Sequence, residues 1–328
     1  GVIVLAAAGS IWWVMHSVTV AAKTTSPVII TVTKGEGVRG VAQALYDAHL
    51  IPSRQAWTLF VIGTGQRGSI LPGSYPVPAG ATGKSIIALI AAGPQNVNEV
   101  KVTIQEGLTA TQIAELLDQA GVVSANDFLN VVRHPATSGL DISVYSVASQ
   151  KPTSVDLEGY LFPDTYWFFK NSSAVKVIQR FLANLDTKFT ADLRQAGITA
   201  GHTPHEILTM ASILEKEVKP GDQPKAADVF WKRISIGMPL QSNVTILYAM
   251  GVSEDRLSIA DTKFESPYNT YLHTGLPPGP ISNPGIGAIK AALFPEANPY
   301  YYFLSANNTT YFAKTLDEHN ANKAKYLK

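Results

Sequence analysis

One pattern occurs twice in this chain and limits the folds open to it. The first copy runs from Ile30 to Val61 (ITVTKGEGVRGVAQALYDAHLIPSRQAWTLFV), the second from Val100 to Val132 (VKVTIQEGLTATQIAELLDQAGVVSANDFLNVV). Glu36-Gly37 matches Glu106-Gly107 and Ser53 matches Ser124. Each copy opens with Val or Ile alternating with polar residues, the mark of a strand with one buried face. A turn follows at Glu-Gly, then apolar residues at helical spacing. In the second copy Leu108, Ile113, Leu116 and Leu117 form the expected buried stripe. Ser124 is placed to cap a further helix carrying Phe128 and Leu129. Each copy is therefore predicted as strand, helix, helix.

That plan resembles the small glycan-binding modules of the LysM type, although a fold alone fixes no binding. Between the copies, PGSYPVPAGATGKSIIALIAAGP predicts a strand and then a helix from about Gly83, capped by Thr82. Gly83-Lys84-Ser85 mimics the end of a phosphate loop, but Pro78 stands where that motif requires its first glycine. From Thr153 onward the character changes. Aromatic residues cluster in LEGYLFPDTYWFF (Leu157 to Phe169), a long helix is expected from about Ala174 to Ala196, and Pro and Gly turns fill the remainder.

The first 22 residues, GVIVLAAAGSIWWVMHSVTVAA, contain no Asp, Glu, Lys or Arg, and His16 is their one ionisable side chain. As a helix they would extend roughly 33 Å, close to the hydrocarbon thickness of a bilayer, with Trp12 and Trp13 suited to an interface. The same composition also suits a buried core helix. The expected organisation is an α+β chain in four parts: a transmembrane anchor over 1–22, a linker over 23–29, repeated LysM-like modules over 30–152, and a catalytic domain over 153–328. The catalytic part would lie outside the cytoplasm, tethered to the inner (cytoplasmic) membrane by a single pass.

Composition removes several classes of function. The 26 basic and 25 acidic side chains leave a net charge of +1, without the basic excess of a nucleic-acid binder. Hydrophobic residues at 46% and charged ones at 16% support folded cores rather than disorder. No cysteine is present, so disulfides and thiolate chemistry are excluded. His202 and His205 are separated by Pro204, and His205-Glu206 lacks the second His of a zinc-protease helix. No G-x-S-x-G elbow occurs. No metal and no cofactor is expected, which leaves proton transfer on carboxylates as the chemistry the chain can offer.

The segment TPHEILTMASILEKEV (Thr203 to Val218) is the candidate for it. Thr203 with Glu206 forms a capping box and Pro204 fits the first helical position. At 100° per residue, Ile207, Met210, Ala211, Leu214 and Val218 share one apolar face. Glu215 falls on one flank of that face, between Ala211 and Leu208, and Glu217 on the other. A carboxyl on such a flank is partly desolvated, which favours its neutral form and suits a general acid. A helix-end Glu paired with Lys216 or Lys219 is the alternative, and the helix does not choose between the two carboxylates.

ASILEKEV (Ala211 to Val218) resembles the signature helix of the YceG-like (MltG) endolytic lytic transglycosylases. The similarity continues through AADVFWKRISIGMPLQSNVTILYAMG (Ala226 to Gly251) and SPYNTYLHTGLPPGPISNPG (Ser266 to Gly285). It includes LEGYLFPDTY (Leu157 to Tyr166) and the closing YYFL…YFAKTLDEHN (Tyr301 to Asn320). In that family the first Glu of the E-K-E triplet is the acid/base, which by position implies Glu215. One departure is visible. The family usually shows Asp-Pro after Leu-Gln-Ser, whereas this chain has Asn243-Val244, so Asn243 is read as a turn or hydrogen-bonding position outside the core chemistry.

The resemblance implies cleavage of the MurNAc-β-1,4-GlcNAc bond within peptidoglycan glycan strands, leaving 1,6-anhydro-MurNAc ends. It also implies action on nascent strands and cell-wall synthases as partners. An ordinary glycosidase needs two carboxylates; a transglycosylase, whose muramyl 6-hydroxyl closes on its own anomeric carbon, can work with one. Gln241, Ser242, Tyr268, Asn269 and Tyr271 offer neutral hydrogen bonds to sugar, and Glu158 in its aromatic stretch is a further groove candidate. Two other readings stay open: a muramidase with Glu217, Glu265 or Asp164 as second carboxylate, and a non-catalytic wall-binding scaffold.

Overall fold

The computed structural model describes residues 2–93, 99–252 and 257–327, without the side chains of residues 2–7. The chain divides into two compact units, Gly1–Glu99 and Val100–Lys328. The first contains α1 (Val2–Thr19), β1 (Val28–Val32), α2 (Val38–Asp47), α3 (Arg54–Gly63), β2 (Gly73–Val77) and α4 (Gly83–Ala91). The repeat is strand, helix, helix as its pattern predicts, and β2 returns antiparallel to β1 with Val28 opposite Val77. Ile30, Val32, Tyr75 and Val77 turn inward onto Leu45, Trp57 and Ile87. Ser53 caps α3 by accepting from the Ala56 amide. Thr82 and Ser85 form a capping box on α4, so the Gly-Lys-Ser run is a helix start and not a phosphate cradle.

Helix α1 is shorter than the 22-residue span expected of an anchor. It stops at Thr19, about 27 Å for 18 residues, and Gly1 lies outside the described residues. After it, the Ala22 amide donates to Ala81 O, and Val18 is buried in the core of this unit. Among the described residues no helix is long and apolar enough to cross a membrane.

The second unit begins with β3 (Glu99–Thr103), α5 (Ala110–Gln119), α6 (Ala125–Arg133) and β4 (Thr165–Phe169). It continues through α7 (Ala174–Lys188), α8 (Ala191–Thr199), α9 (Pro204–Glu217), α10 (Gln223–Ser235), α11 (Asn243–Met250) and α12 (Ile286–Leu293). A hairpin of β5 (Tyr302–Ala306) and β6 (Thr309–Ala313) and the helix α13 (Leu316–Tyr326) close it. The unit border falls at residue 99, not at the expected 152. Strand β3 pairs with β4, which lies beyond residue 152. One core also runs without interruption from Ile113 and Phe128 through Phe168 and Phe181 to Leu214 and Ile289. The second repeat is thus part of the larger unit.

Three local expectations are corrected. Leu116 is 36% exposed, and Ala110 and Ala114 fill the buried stripe of α5 with Ile113 and Leu117. The long helix from Ala174 breaks at Phe189, which leaves helical geometry (ψ 72°) to enter the core, and Thr190 starts α8. Helix α9 has no single apolar face. Besides the predicted stripe, Leu208, Thr209, Ser212 and Ile213 are buried, the pattern of a helix surrounded by neighbours. Those neighbours are α8, α10, α11 and α12.

Candidate active site

Helix α9 starts where its capping box requires. Glu206 accepts from the Thr203 amide at 2.8 Å, and Thr203 Oγ1 accepts from the Glu206 amide at 3.2 Å. Its buried polar side chains then hold the loop that precedes α12. Ser212 Oγ accepts from the Ile281 amide at 3.0 Å, and Ser282 Oγ donates to Ser212 O at 3.2 Å. Asn283, fully buried, ties this loop to the β3–α5 turn. Its Nδ2 donates to Leu108 O (2.9 Å) and to Glu158 Oε1 (2.7 Å), and its Oδ1 accepts from the Leu161 amide (2.9 Å). The Gly107 amide donates to Asn283 O, with Gly107 at φ +77°, the left-handed region that favours glycine.

Glu215 lies where these three segments meet. It is half-buried near the end of α9, and its Oε2 accepts from the Gly285 amide at 3.1 Å. Gly285 is the N-cap of α12, so the carboxylate faces the positive end of that helix. Burial nevertheless holds the Glu215 carboxyl above the usual carboxylate range. The Gly285 amide opposes the shift, the Glu106 carboxylate adds to it and Lys216 opposes it.

Glu106 was not a candidate from the sequence. A Cβ built on Gly285 would lie 1.8 Å from Glu106 Oε1 and 2.1 Å from its Cδ, so Glu106 rests directly on the glycine whose amide holds Glu215. With N and Cβ of one residue about 2.5 Å apart by standard covalent geometry, Glu106 Oε1 is within roughly 7.5 Å of Glu215 Oε2. The signal available in the sequence was the repeated Glu-Gly itself.

Glu217 is placed elsewhere. Ser242 Oγ donates to its Oε1, and the Asn243 and Val244 amides at the start of α11 point to it, yet burial still raises its carboxyl. Tyr271 hydroxyl donates to Asn243 Oδ1 at 2.7 Å, so Asn243 is a hydrogen-bonding position beside Glu217. Ser242, Asn243, Tyr271 and Glu217 therefore form one cluster and Glu215, Glu106 and Gly285 another, on opposite flanks of α9. Gln241 adjoins the first cluster, with an exposed side chain and φ +53°. A non-glycine residue held there stores strain of the kind found at functional sites.

The other predicted groove residues are held by the protein itself. Glu158 is 5% exposed and accepts from the Ala110 amide and Asn283 Nδ2. Burial pushes its carboxyl up to about 8. Asn269 is fully buried, donating to Thr262 O and Phe264 O. Tyr268 packs on Tyr248 with ring centroids 5.2 Å apart. Asp164 pairs with Lys188 at 3.3 Å, and Glu265 lines an open depression with Ser266, Pro267 and His273. A cavity of about 630 Å³ between Arg133, His134, Lys151, Asp156, Tyr268 and Pro278 does not include Glu215. Among the described residues no group of three His, Asp or Glu is placed to hold a metal ion.

Comparison with known proteins gives the family of the chain. The model of the YceG-like family matches residues 30–325. The endolytic murein transglycosylase of Bacillus subtilis is 33% identical over 309 residues, which cover 91% of this chain and 84% of that protein. A protein of the same name from Streptococcus pneumoniae (strain D39) is 31% identical over 256 residues, 71% of this chain but 46% of the longer relative. The crystal structure of a yceG-like protein from Listeria monocytogenes superposes with a TM-score of 0.61 at 30% identity, covering 91% of this chain and 99% of that one. With all of its described core except Val18 inside the matched segment, the chain belongs to the YceG-like family.

Proposed function

We propose that this chain is an endolytic lytic transglycosylase, cutting the MurNAc-β-1,4-GlcNAc bond inside peptidoglycan strands with Glu215 as acid and then base. One observation carries the reading: Glu215 is a half-buried carboxyl whose Oε2 is fixed by the Gly285 amide. Among the described residues no hydrogen bond engages its Oε1. Desolvation raises the carboxyl and so favours its protonated form, as a general acid needs. The amide and the α12 N-terminus then stabilise the anion left behind.

The steps balance on this one group. The Glu215 proton passes to the glycosidic oxygen as the C1–O bond breaks, and the GlcNAc 4-hydroxyl departs. Positive charge develops at muramyl C1. The muramyl 6-hydroxyl oxygen bonds to C1 and gives its proton to the Glu215 carboxylate, restoring the acid. No water is consumed, and the product carries a 1,6-anhydro ring. The second reading, a muramidase, is favoured by Glu106, whose separation from Glu215 is compatible with the two-carboxylate spacings of glycosidases.

The uncharged run Gly1–Ala22 supports single-pass anchoring in the cytoplasmic membrane, with the remainder on the outer side where the glycan is. The two strand-helix-helix repeats support a LysM-like role in holding glycan, and the endolytic reading supports action on nascent strands beside cell-wall synthases. A topology reporter fused after Lys328 should be active only outside the cytoplasm; a cytoplasmic signal refutes the anchoring. For the chemistry, purified peptidoglycan digested with the parent should give anhydro ends, lighter by one water than hydrolytic ends. Glu215→Gln should lose most of that turnover, about 10²- to 10⁴-fold for acid–base assistance alone, at unchanged thermal stability. Reducing ends from the parent, or anhydro ends at the parent rate from Glu215→Gln, would refute it.

A further inference from the structure

We infer that Glu106 is a positioning residue of this reaction: its negative charge, set across Gly285 from Glu215, holds the proton on the acid until the glycosidic oxygen takes it. The inference rests on the function proposed above and adds a residue from outside the signature helix.

The comparison between the two repeats carries it. In the first repeat the equivalent Glu36 serves its own turn, accepting from the Thr33 amide at 2.8 Å and from Thr33 Oγ1 at 2.9 Å. It lies back over Gly40, where a Cβ would meet its Cγ at 2.9 Å. In the second repeat both arrangements are gone. Ala110 stands at the position of Gly40, with its amide bonded to Glu158, so the glycine over which Glu36 folds back has no counterpart. Thr103, the counterpart of Thr33, pairs its hydroxyl with Thr165 at 3.0 Å. Glu106 is turned instead onto Gly285, where the missing side chain leaves room for its carboxyl.

There it is exposed, and among the described residues it has no hydrogen bond or ion pair. An exposed carboxylate without a partner adds little to the fold, and once Glu215 ionises the two like charges repel. The approach is nevertheless tight. A Cβ on Gly107 would lie 3.4 Å from Glu215 Cγ and from Lys216 Cδ, so the Glu-Gly turn is seated against the end of α9, and Asn283 fixes it there. The groups facing Glu215 are Glu106 from the β3–α5 turn, the Gly285 amide from α12 and Lys216 from α9 itself. Lys216 reaches toward Gly107 O at 3.4 Å. Of these only Glu106 adds negative charge, favouring the protonated acid before cleavage, against the amide that favours the anion after it.

The test compares the full chain with Glu106→Gln and Glu106→Asp. The rate profile against pH on purified glycan should show its alkaline limb moved to lower pH in Glu106→Gln, with the rate recovered as pH falls. Glu106→Asp should retain most of the parent profile. A purely structural loss would lower the rate alike at every pH and overturns the inference, as does an unchanged profile. Side-chain carboxyl NMR of Glu215, assigned with Glu215→Gln, reads the coupling without turnover. If its titration midpoint does not fall in Glu106→Gln, the inference fails even where anhydro ends are made. If the midpoint falls but the parent yields only reducing ends, the charge coupling stands and the transglycosylase reading fails.

Discussion

Glu158→Gln separates a groove carboxylate from a structural one by its effect on stability against pH. Burial raises the Glu158 carboxyl from its ordinary 4.5 to about 8, although the Ala110 amide and Asn283 Nδ2 favour the anion. The folded state therefore binds the proton more tightly than the unfolded state. The stability that this group contributes is fully present below pH 4.5 and is lost as pH rises through the folded value of about 8. The largest possible loss, at about 1.4 kcal/mol per unit, is on the order of 5 kcal/mol, or roughly 10–20 °C in melting temperature for a unit this size. Glutamine reproduces the protonated acid: its oxygen can still accept from Ala110 and Asn283, and it does not ionise. Calorimetry of the full chain should find the variant within about 1 kcal/mol of the parent near pH 5 and clearly more stable near pH 9. An equal offset at both pH values, or a variant that melts lower at pH 9, would refute the reasoning. Glycan binding by the variant should match the parent, since the side chain is enclosed.

Glu217→Gln should keep the product and most of the rate while lowering stability by about 1–3 kcal/mol, because one acceptor for Ser242 and the α11 amides is lost; a dead but fully folded variant would move the acid to Glu217. Gly159→Ala should unfold the second unit at a much lower temperature, with a cost above about 3 kcal/mol. Its Cβ would meet Pro280 Cβ at 2.2 Å with φ at +84°. A melting temperature within 3 °C of the parent would contradict that.

Local features of the fold were legible because their causes are local. The Thr203–Glu206 box, the Thr82 and Ser124 caps and both strand-helix-helix repeats stand where spacing puts them. Helical geometry also placed Glu215 on the flank of α9, half-buried as read. What failed depended on segments distant in the chain. Glu158 lies in an aromatic stretch that suggests a sugar groove, but its partners Ala110 and Asn283 are 48 and 125 residues away. No period in the sequence reveals that β3 finds its partner beyond residue 152, so the unit border was misplaced. Glu106 was visible as half of a repeat, and its meaning came only from what the other half does with the same residue.

The hydrogen bond from Asn283 to Leu108 O spans 175 residues, and that distance has a consequence for biosynthesis. At translation speeds of about 5–20 residues per second, roughly 10–35 s separate the appearance of its two ends. Helix α9, with Glu215, is already made during that interval, but the Gly285 amide is not. A nascent chain that has not reached residue 285 thus carries Glu215 without the Gly285 amide, and one that has not reached residue 283 lacks the clasp on the Glu106-Gly107 turn. The late strut orders assembly: the surroundings of Glu215 close only after the segment carrying Asn283 and Gly285 has been made.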